Sequence, residues 1–85
     1  MKYIYTTQGT CSKQIEISIN DDTKIIEDIH FIGGCPGNTI GVALLAKGHT
    51  MEEIITLLEG IPCGNKGTSC PDQLATALKE IKSNF

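Results

Sequence analysis

The sequence predicts a single α+β domain in which three strands come first and three helices follow. Three observations carry this prediction: a strictly alternating apolar pattern near the N-terminus, a β-branched run directly after it, and a change to helical spacing from Gly33 onward. At 85 residues the chain fits one domain, residues 1–85, close to the size at which an apolar core alone is only marginally sufficient. Strands followed by helices are typical of a mostly antiparallel three-stranded sheet covered by the helices on one face.

The sheet is predicted from three short segments. Between residues 13 and 19 apolar and polar residues alternate with the period of a half-buried strand, and the inward positions are Ile15, Ile17 and Ile19. Asn20-Asp21-Asp22 makes a turn, and the run 24–32 follows it, so the two segments are expected to pair as an antiparallel hairpin. Residues 3–6 are the candidate third strand. Cys11 shares the parity of the inward isoleucines and would face the core if the strand reached it without a bulge.

The first two helices are predicted from apolar spacing and from their ends. The first follows Gly33 and is closed by Gly48, with a stripe formed by Ile40, Ala43, Leu44 and Lys47. The second begins at Thr50, which forms a capping box with Glu53, and it ends at Gly60-Ile61-Pro62. Its predicted stripe consists of Met51, Ile54, Ile55 and Leu58.

The third helix is predicted from about Cys70 to Lys82. Either Ser69 or Cys70 is its N-cap, and one apolar stripe is formed by Leu74, Ala77, Leu78 and Ile81.

Composition argues against nucleic-acid and membrane binding. Ten acidic residues face seven basic ones, all of them lysines scattered along the chain, with no arginine for bidentate phosphate contacts. The N-terminus lacks the apolar run of a secretory signal, and no stretch approaches the roughly 20 apolar residues of a membrane span. We therefore expect a cytoplasmic protein, in which four cysteines are more typical of metal ligands or redox thiols than of disulfides.

Two of the four cysteines precede proline, Cys35-Pro36 and Cys70-Pro71, each at a predicted helix start. Proline is favoured there, and the unpaired N–H groups and helix dipole favour a thiolate, the form that binds metal or attacks a disulfide. Cys11 and Cys63 lie in or beside glycine-bearing loops, so all four cysteines can converge at one edge of the domain.

Four thiolates complete a tetrahedral zinc site and equally hold an iron–sulfur cluster. The spacing contains no Cys-x-x-Cys, so it does not choose between zinc, an iron–sulfur cluster and redox thiols. Simple burial of one or two cysteines in the core is a further alternative, and it applies first to Cys11. The glycine-bearing segments 33–38 and 64–69 at helix starts could instead hold an anion, but neither matches a P-loop. Close backbone approach around a metal is the favoured interpretation of these glycines. His30 and His49 are isolated and receive no role.

The segment Thr68-Ser69-Cys70-Pro71-Asp72 spells TSCPD. Together with residues 33–38, Gly41-Val42 and Cys63-Gly64, it makes the whole chain resemble small four-cysteine TSCPD-domain proteins. That domain is similar to the C-terminal segment of some adenosylcobalamin-dependent ribonucleotide reductases. The resemblance implies an accessory or tail-like module linked to ribonucleotide reduction, with the reductase as a protein partner and no complete catalytic site on this chain.

The chain more faintly resembles NifU-type iron–sulfur scaffold proteins. Cys11, Cys35, Cys70 and the segment 47–53 fall in corresponding places, which implies the same fold and makes cluster assembly an alternative function. Lys13 replaces an acidic residue of the scaffold, and Cys63 adds a fourth thiol that suits a retained metal.

The leading hypothesis is therefore a metal-binding module that presents a surface to a partner protein. Zinc, or second an iron–sulfur cluster, would be held by Cys11, Cys35, Cys63 and Cys70. The main rival is a thiol redox protein in which Cys63 and Cys70 cycle between dithiol and disulfide to re-reduce a partner such as the reductase.

Overall fold

A computed structural model shows a three-stranded sheet followed by three helices. It describes residues 1–9, 12–33, 36–61 and 67–83, with the backbone alone for residues 36–38. The strands are β1 (Lys2–Thr6), β2 (Ser12–Ile19) and β3 (Ile26–Gly33), and the helices are α1 (Pro36–Ala46), α2 (Met51–Leu58) and α3 (Cys70–Ser83). The predicted α+β class, with strands first and helices second, is confirmed.

The sheet has the order β1-β2-β3, and both neighbouring pairs are antiparallel, so the predicted hairpin and third strand are confirmed. In the hairpin turn, the Asn20 side-chain oxygen accepts from the backbone N–H groups of Asp22 and Thr23, each at 2.9 Å. Lys24 has a φ of 62°, a left-handed conformation that cannot continue a strand. For this reason β3 begins at Ile26, two residues later than predicted.

A β-bulge interrupts β2 near its start. Ser12 lies opposite Gly33 and Gln14 lies opposite Ile32, which leaves Lys13 as the extra residue. The bulge reverses the alternation, so Ser12 is buried and Lys13 is exposed. The condition under which Cys11 would face the core is therefore not met, and Cys11 itself lies outside the described residues.

The core lies between one face of the sheet and the helices. The β2 isoleucines are fully buried, and the helical residues packed in the same cluster include Met51, Ile54, Leu74 and Leu78. On the other face His30 Nδ1 lies 3.5 Å from Glu16 Oε1 on the neighbouring strand, and the His30 side chain is largely exposed. A sheet with one covered face explains the strict alternation along β2.

The apolar stripe predicted for α1 is wrong. Ile40 is 58% exposed and Leu44 is 66% exposed, so two members of the predicted stripe face away from the core. The side of α1 that turns inward carries buried Thr39 and Ala46 with half-buried Val42 and Ala43 between them. Because α1 is apolar around most of its circumference, helical spacing alone could not identify the buried face.

Within the described residues, no helix is both long enough and apolar enough to cross a membrane.

The predicted capping box of α2 is confirmed. Thr50 Oγ1 accepts from the Glu53 N–H at 3.1 Å, and Glu53 Oε1 accepts from the Thr50 N–H at 3.0 Å. The Thr50 hydroxyl also donates to Glu53 Oε1, at 3.0 Å. The bond from the Thr50 N–H, followed by the bond from its hydroxyl, favours the ionised carboxyl and lowers the pKa of Glu53 below its ordinary value.

A Glu53→Ala variant is expected to destabilise the protein at neutral pH and to lose that effect in acid. A carboxyl with a lowered folded-state pKa contributes stability above its unfolded value, and the contribution fades as pH falls through the folded value. The gap in melting temperature between wild type and variant should therefore narrow below pH 4.5. Glu53→Gln is the control, since it keeps a capping-box oxygen without a titrating group. A gap between Glu53→Ala and wild type that stays constant from pH 7 to pH 3 would contradict this interpretation.

Candidate metal centre

Cys70 is the first residue of α3 and is buried, with 5% of its surface exposed. Ser69 Oγ accepts from the Asp72 N–H at 3.2 Å, so Ser69 is the N-cap of the two predicted candidates. Pro71 is then the second helical residue rather than the first. The thiol lies at the N-terminal end of α3, where the backbone N–H groups lack helical partners and the helix dipole is positive.

The Cys70 thiol contacts the end of the β2–β3 hairpin. Its Sγ donates to Ser12 Oγ at 3.3 Å, and Ser12 faces Gly33 across the sheet. In sequence, Cys11 directly precedes Ser12, and Cys35 follows Gly33 by two residues. The start of α3 thus contacts the first residue of β2, which follows Cys11 in sequence and pairs with the last residue of β3.

The β1–β2 loop approaches the same helix start from another side. The Gln8 N–H donates to Gln73 Oε1 at 3.0 Å. Gly9 has a φ of +76°, and a Cβ placed on it would lie 2.9 Å from Thr68 Cγ2. Both contacts involve residues that lie two or three positions before Cys11.

The segment that leads to Cys63 is tied to the first turn of α3. Ser69 Oγ donates to the Ile61 carbonyl oxygen, and the Gly60 N–H donates to Asp72 Oδ1 at 2.7 Å. These two attachment points precede Cys63 by two and three residues.

A polar network joins these contacts. Gln73 Nε2 donates to Thr68 Oγ1 at 3.0 Å, and that hydroxyl donates to Asp72 Oδ2. Ser69 and Gln73 are buried, and in the part of the chain that the structure describes every buried side-chain nitrogen and oxygen has a hydrogen-bond partner. A satisfied buried network of this kind fixes the relative positions of the segments that it joins.

Sequence reasoning missed the contacts of Ser12 and Gln73, and it named Asp72 only as part of the TSCPD segment. Gln73 lies three residues after Cys70 and four before Ala77, so helical spacing places it on the buried side of α3. A buried polar side chain needs a hydrogen-bond partner, so the position of Gln73 in the sequence indicated that it makes a tertiary contact. Nothing in the sequence indicated that the partner is a loop 65 positions away.

Negative charge lies beside the first turns of α3. Burial raises the pKa of the Tyr5 hydroxyl, and the carboxylates of Glu80 and Asp72 raise it further. An Asp72 carboxylate at this helix start favours a bound cation and opposes an anion. This charge opposes the anion-binding alternative, and residues 34–35 and 64–66 of its two segments lie outside the described residues.

Of the four predicted ligands, only Cys70 falls within the described residues. Cys11, Cys35 and Cys63 lie outside them, so the predicted four-cysteine set stays a prediction. Within residues 1–9, 12–33, 36–61 and 67–83, no group of three or more His, Cys, Asp or Glu side chains could hold a metal ion.

Gly9→Ala is expected to destabilise the protein more than Gly48→Ala. Both glycines have positive φ, which costs an L-residue about 1–2 kcal/mol, but only at Gly9 would the new Cβ also meet a side chain. Urea unfolding of the two variants measures the difference. Thr68→Ser removes the obstructing Cγ2 and keeps the hydroxyl, so Gly9→Ala should cost less in that background. Equal costs for Gly9→Ala in both backgrounds would argue against close packing of this loop on Thr68.

The comparisons with known proteins identify the domain. The family model described as TSCPD domain matches residues 1–82, which include all six elements almost to the end of α3. No curated protein and no solved structure matched the chain. The five residues that spell the family's name contain the N-cap, the buried thiol and the Asp72 carboxylate described above. The chain belongs to the TSCPD-domain family.

Proposed function

We propose that this domain binds one metal ion through the thiolates of Cys11, Cys35, Cys63 and Cys70, with zinc as the first choice. The observation that carries the proposal is the contact between Cys70 Sγ and Ser12 Oγ at 3.3 Å, at the point where Ser12 faces Gly33. It brings a buried thiol next to Ser12, which Cys11 directly precedes and which pairs with Gly33, two residues before Cys35.

Chain connectivity supports convergence of the other three thiols. Consecutive Cα atoms are about 3.8 Å apart, so a residue one or two positions from an anchored neighbour cannot lie far from it. Cys11 is one position from Ser12, Cys35 lies between Gly33 and the start of α1, and Cys63 is two positions from Ile61. Ser12 and Ile61 are hydrogen-bonded to Cys70 and to its N-cap, respectively.

The chemistry of the donor set fits zinc. Thiolates bind zinc at about 2.3 Å, and four of them close a structural site without other ligands. Once Cys70 has lost its proton, the Ser12 hydroxyl is placed to donate to the sulfur, as outer partners of metal ligands commonly do. The bound metal would supply folding energy to a domain of marginal size.

An iron–sulfur cluster is the second choice for the same ligands. Burial of Cys70 favours a retained group over one that is passed to an acceptor, since transfer requires an accessible coordination site. The resemblance to reductase tails supports the further proposal that the domain is a cytoplasmic accessory module that binds a ribonucleotide reductase.

Metal and acid-labile sulfide per chain, measured on untagged protein purified without oxygen, test the proposal. Near-stoichiometric zinc without sulfide is the expected result. Iron with sulfide would indicate that the four cysteines hold an iron–sulfur cluster instead of zinc. A folded, metal-free protein that takes up neither zinc nor iron would overturn metal binding.

The redox alternative has one observation in its favour. The Ser69–Ile61 bond brings the segment that leads to Cys63 next to Cys70, as a Cys63–Cys70 disulfide would require. Burial of Cys70 opposes it, because a thiol that exchanges disulfides must be accessible. Two rapidly alkylated thiols in folded, metal-free protein, with a measurable disulfide potential, would favour the redox function.

A further inference from the structure

Two side chains in the first turn of α3 hold loops on either side of Cys70. Gln73 Oε1 accepts from the Gln8 N–H at 3.0 Å, and Asp72 Oδ1 accepts from the Gly60 N–H at 2.7 Å. Gln8 is three residues before Cys11, and Gly60 is three residues before Cys63. Each bond thus anchors a segment that leads to one proposed ligand.

The two bonds are coupled through Thr68. Its hydroxyl accepts from Gln73 Nε2 and donates to Asp72 Oδ2, so the carboxamide and the carboxylate orient each other. Gln73 is 8% exposed, which protects its bonds from competition by water. Asp72 is additionally held by the N-cap, because its own N–H donates to Ser69 Oγ.

Anchoring of this kind changes the cost of assembling a metal site. A loop that is free before binding loses backbone entropy when its cysteine joins the metal, and this loss weakens affinity. A loop that is held beforehand has already lost that freedom on folding. By this argument, bonds to Gln8 and Gly60 would raise metal affinity without contacting the metal.

We propose that Gln73 and Asp72 are positioning residues: their bonds to the Gln8 and Gly60 N–H groups hold the chain on the approach to Cys11 and Cys63 before the metal arrives. This inference rests on the proposed function, because it assumes that those cysteines are ligands. It assigns the last residue of the TSCPD segment, and the glutamine after it, to preorganisation of the thiolate site.

Three variants separate the contributions. Gln73→Met replaces the side chain by an apolar one of similar length, so both hydrogen bonds of the carboxamide are lost. Asp72→Ala deletes the acceptor for Gly60, whereas Asp72→Asn keeps an oxygen for that N–H and removes the charge. Gln73→Met and Asp72→Ala should each weaken metal binding by about 10-fold or more, the lower bound for loss of an outer-shell partner. Asp72→Asn should lose less than Asp72→Ala.

The measurements are titration of the full chain with Co²⁺, followed by sulfur-to-cobalt absorbance, and competition by Zn²⁺. Unfolding of each metal-free variant in urea measures its stability separately. Ile54→Val is the matched control for stability, since it removes one methylene from a buried position in α2. Thr76→Ala is the control for α3, because the Thr76 hydroxyl bonds only the Asp72 carbonyl oxygen of its own helix among the contacts seen.

The outcomes distinguish the two proposals. If wild type shows no sulfur-to-cobalt absorbance, the proposed function fails. If wild type binds and Gln73→Met and Asp72→Ala bind equally tightly, the function stands and the positioning role is refuted. The positioning role is also refuted if Ile54→Val, at equal loss of stability, weakens binding as much as they do.

Discussion

Replacement of Cys70 by serine is expected, on the proposed four-cysteine zinc site, to abolish tight zinc binding and the stability that zinc would supply. The thiol is buried at the start of α3, beside the first residue of β2, and serine does not supply the thiolate that the proposed site requires. Loss of an outer partner costs 10–100-fold in metal affinity, so loss of a ligand should cost at least about 100-fold. At a metal concentration 100 times Kd, binding contributes about 2.7 kcal/mol, on the order of 10–20 °C in Tm for a domain of this size.

The measurement is Tm with and without added zinc, together with zinc retained after gel filtration. Ser12→Ala is the matched control, since it removes the hydrogen-bond partner of Cys70 and leaves all four thiols in place. We expect Ser12→Ala to keep zinc with reduced affinity and Cys70→Ser to lose it. If the two variants retained equal zinc and showed equal Tm, Cys70 would be a buried structural cysteine only.

Leu74→Ala is expected to destabilise the domain by about 2–5 kcal/mol. Leu74 is fully buried in α3 and packs in the cluster that contains the β2 isoleucines, so its loss leaves a cavity between helix and sheet. A domain of 85 residues has a total stability of about 4–13 kcal/mol, so the variant should unfold at much lower urea concentration. Urea unfolding followed by far-UV circular dichroism measures the difference.

Leu44→Ala is the control for the same chemical change on α1. Leu44 is 66% exposed, so the free energy of unfolding should change by no more than about 0.5 kcal/mol. A cost for Leu44→Ala equal to that for Leu74→Ala would mean that the exposed side of α1 is covered in solution.

The fold was predictable because most elements carry a single consistent signal. The alternation of Ile15, Ile17 and Ile19 with polar residues predicts a strand with one covered face, and all three isoleucines are buried. Thr50 and Glu53 fix the start of α2 through local bonds that depend only on residues three positions apart. The Cys-Pro pairs likewise mark helix starts, with Pro36 as the first residue of α1 and Pro71 as the second residue of α3.

The parts that were missed depend on contacts between distant residues. The bulge at Lys13 is set by how β2 pairs with β3. Because of the bulge, Ser12 rather than Lys13 is buried, and Ser12 contacts Cys70. The buried side of α1 is chosen by the position of β3, because the helix sequence is apolar on several sides. Periodicity carries no information about either choice.

In the candidate site, too, local features were predictable from sequence and contacts between distant residues were not. Residue type and position identified Cys70 as a thiol at a helix start, and the structure agrees. The bonds from Gln73 to Gln8 and from Asp72 to Gly60 span 65 and 12 positions, and side-chain spacing within one helix cannot reveal them. Convergence of the four cysteines accordingly gains support from tertiary contacts of their neighbours, which no local pattern could provide.

X-ray absorption spectroscopy at the zinc edge of the zinc-loaded protein is the most direct test of four-cysteine ligation. Ligation by Cys11, Cys35, Cys63 and Cys70 predicts four sulfur scatterers at about 2.3 Å and no nitrogen or oxygen in the first shell. A first shell with two or fewer sulfur atoms, completed by nitrogen or oxygen, would contradict it.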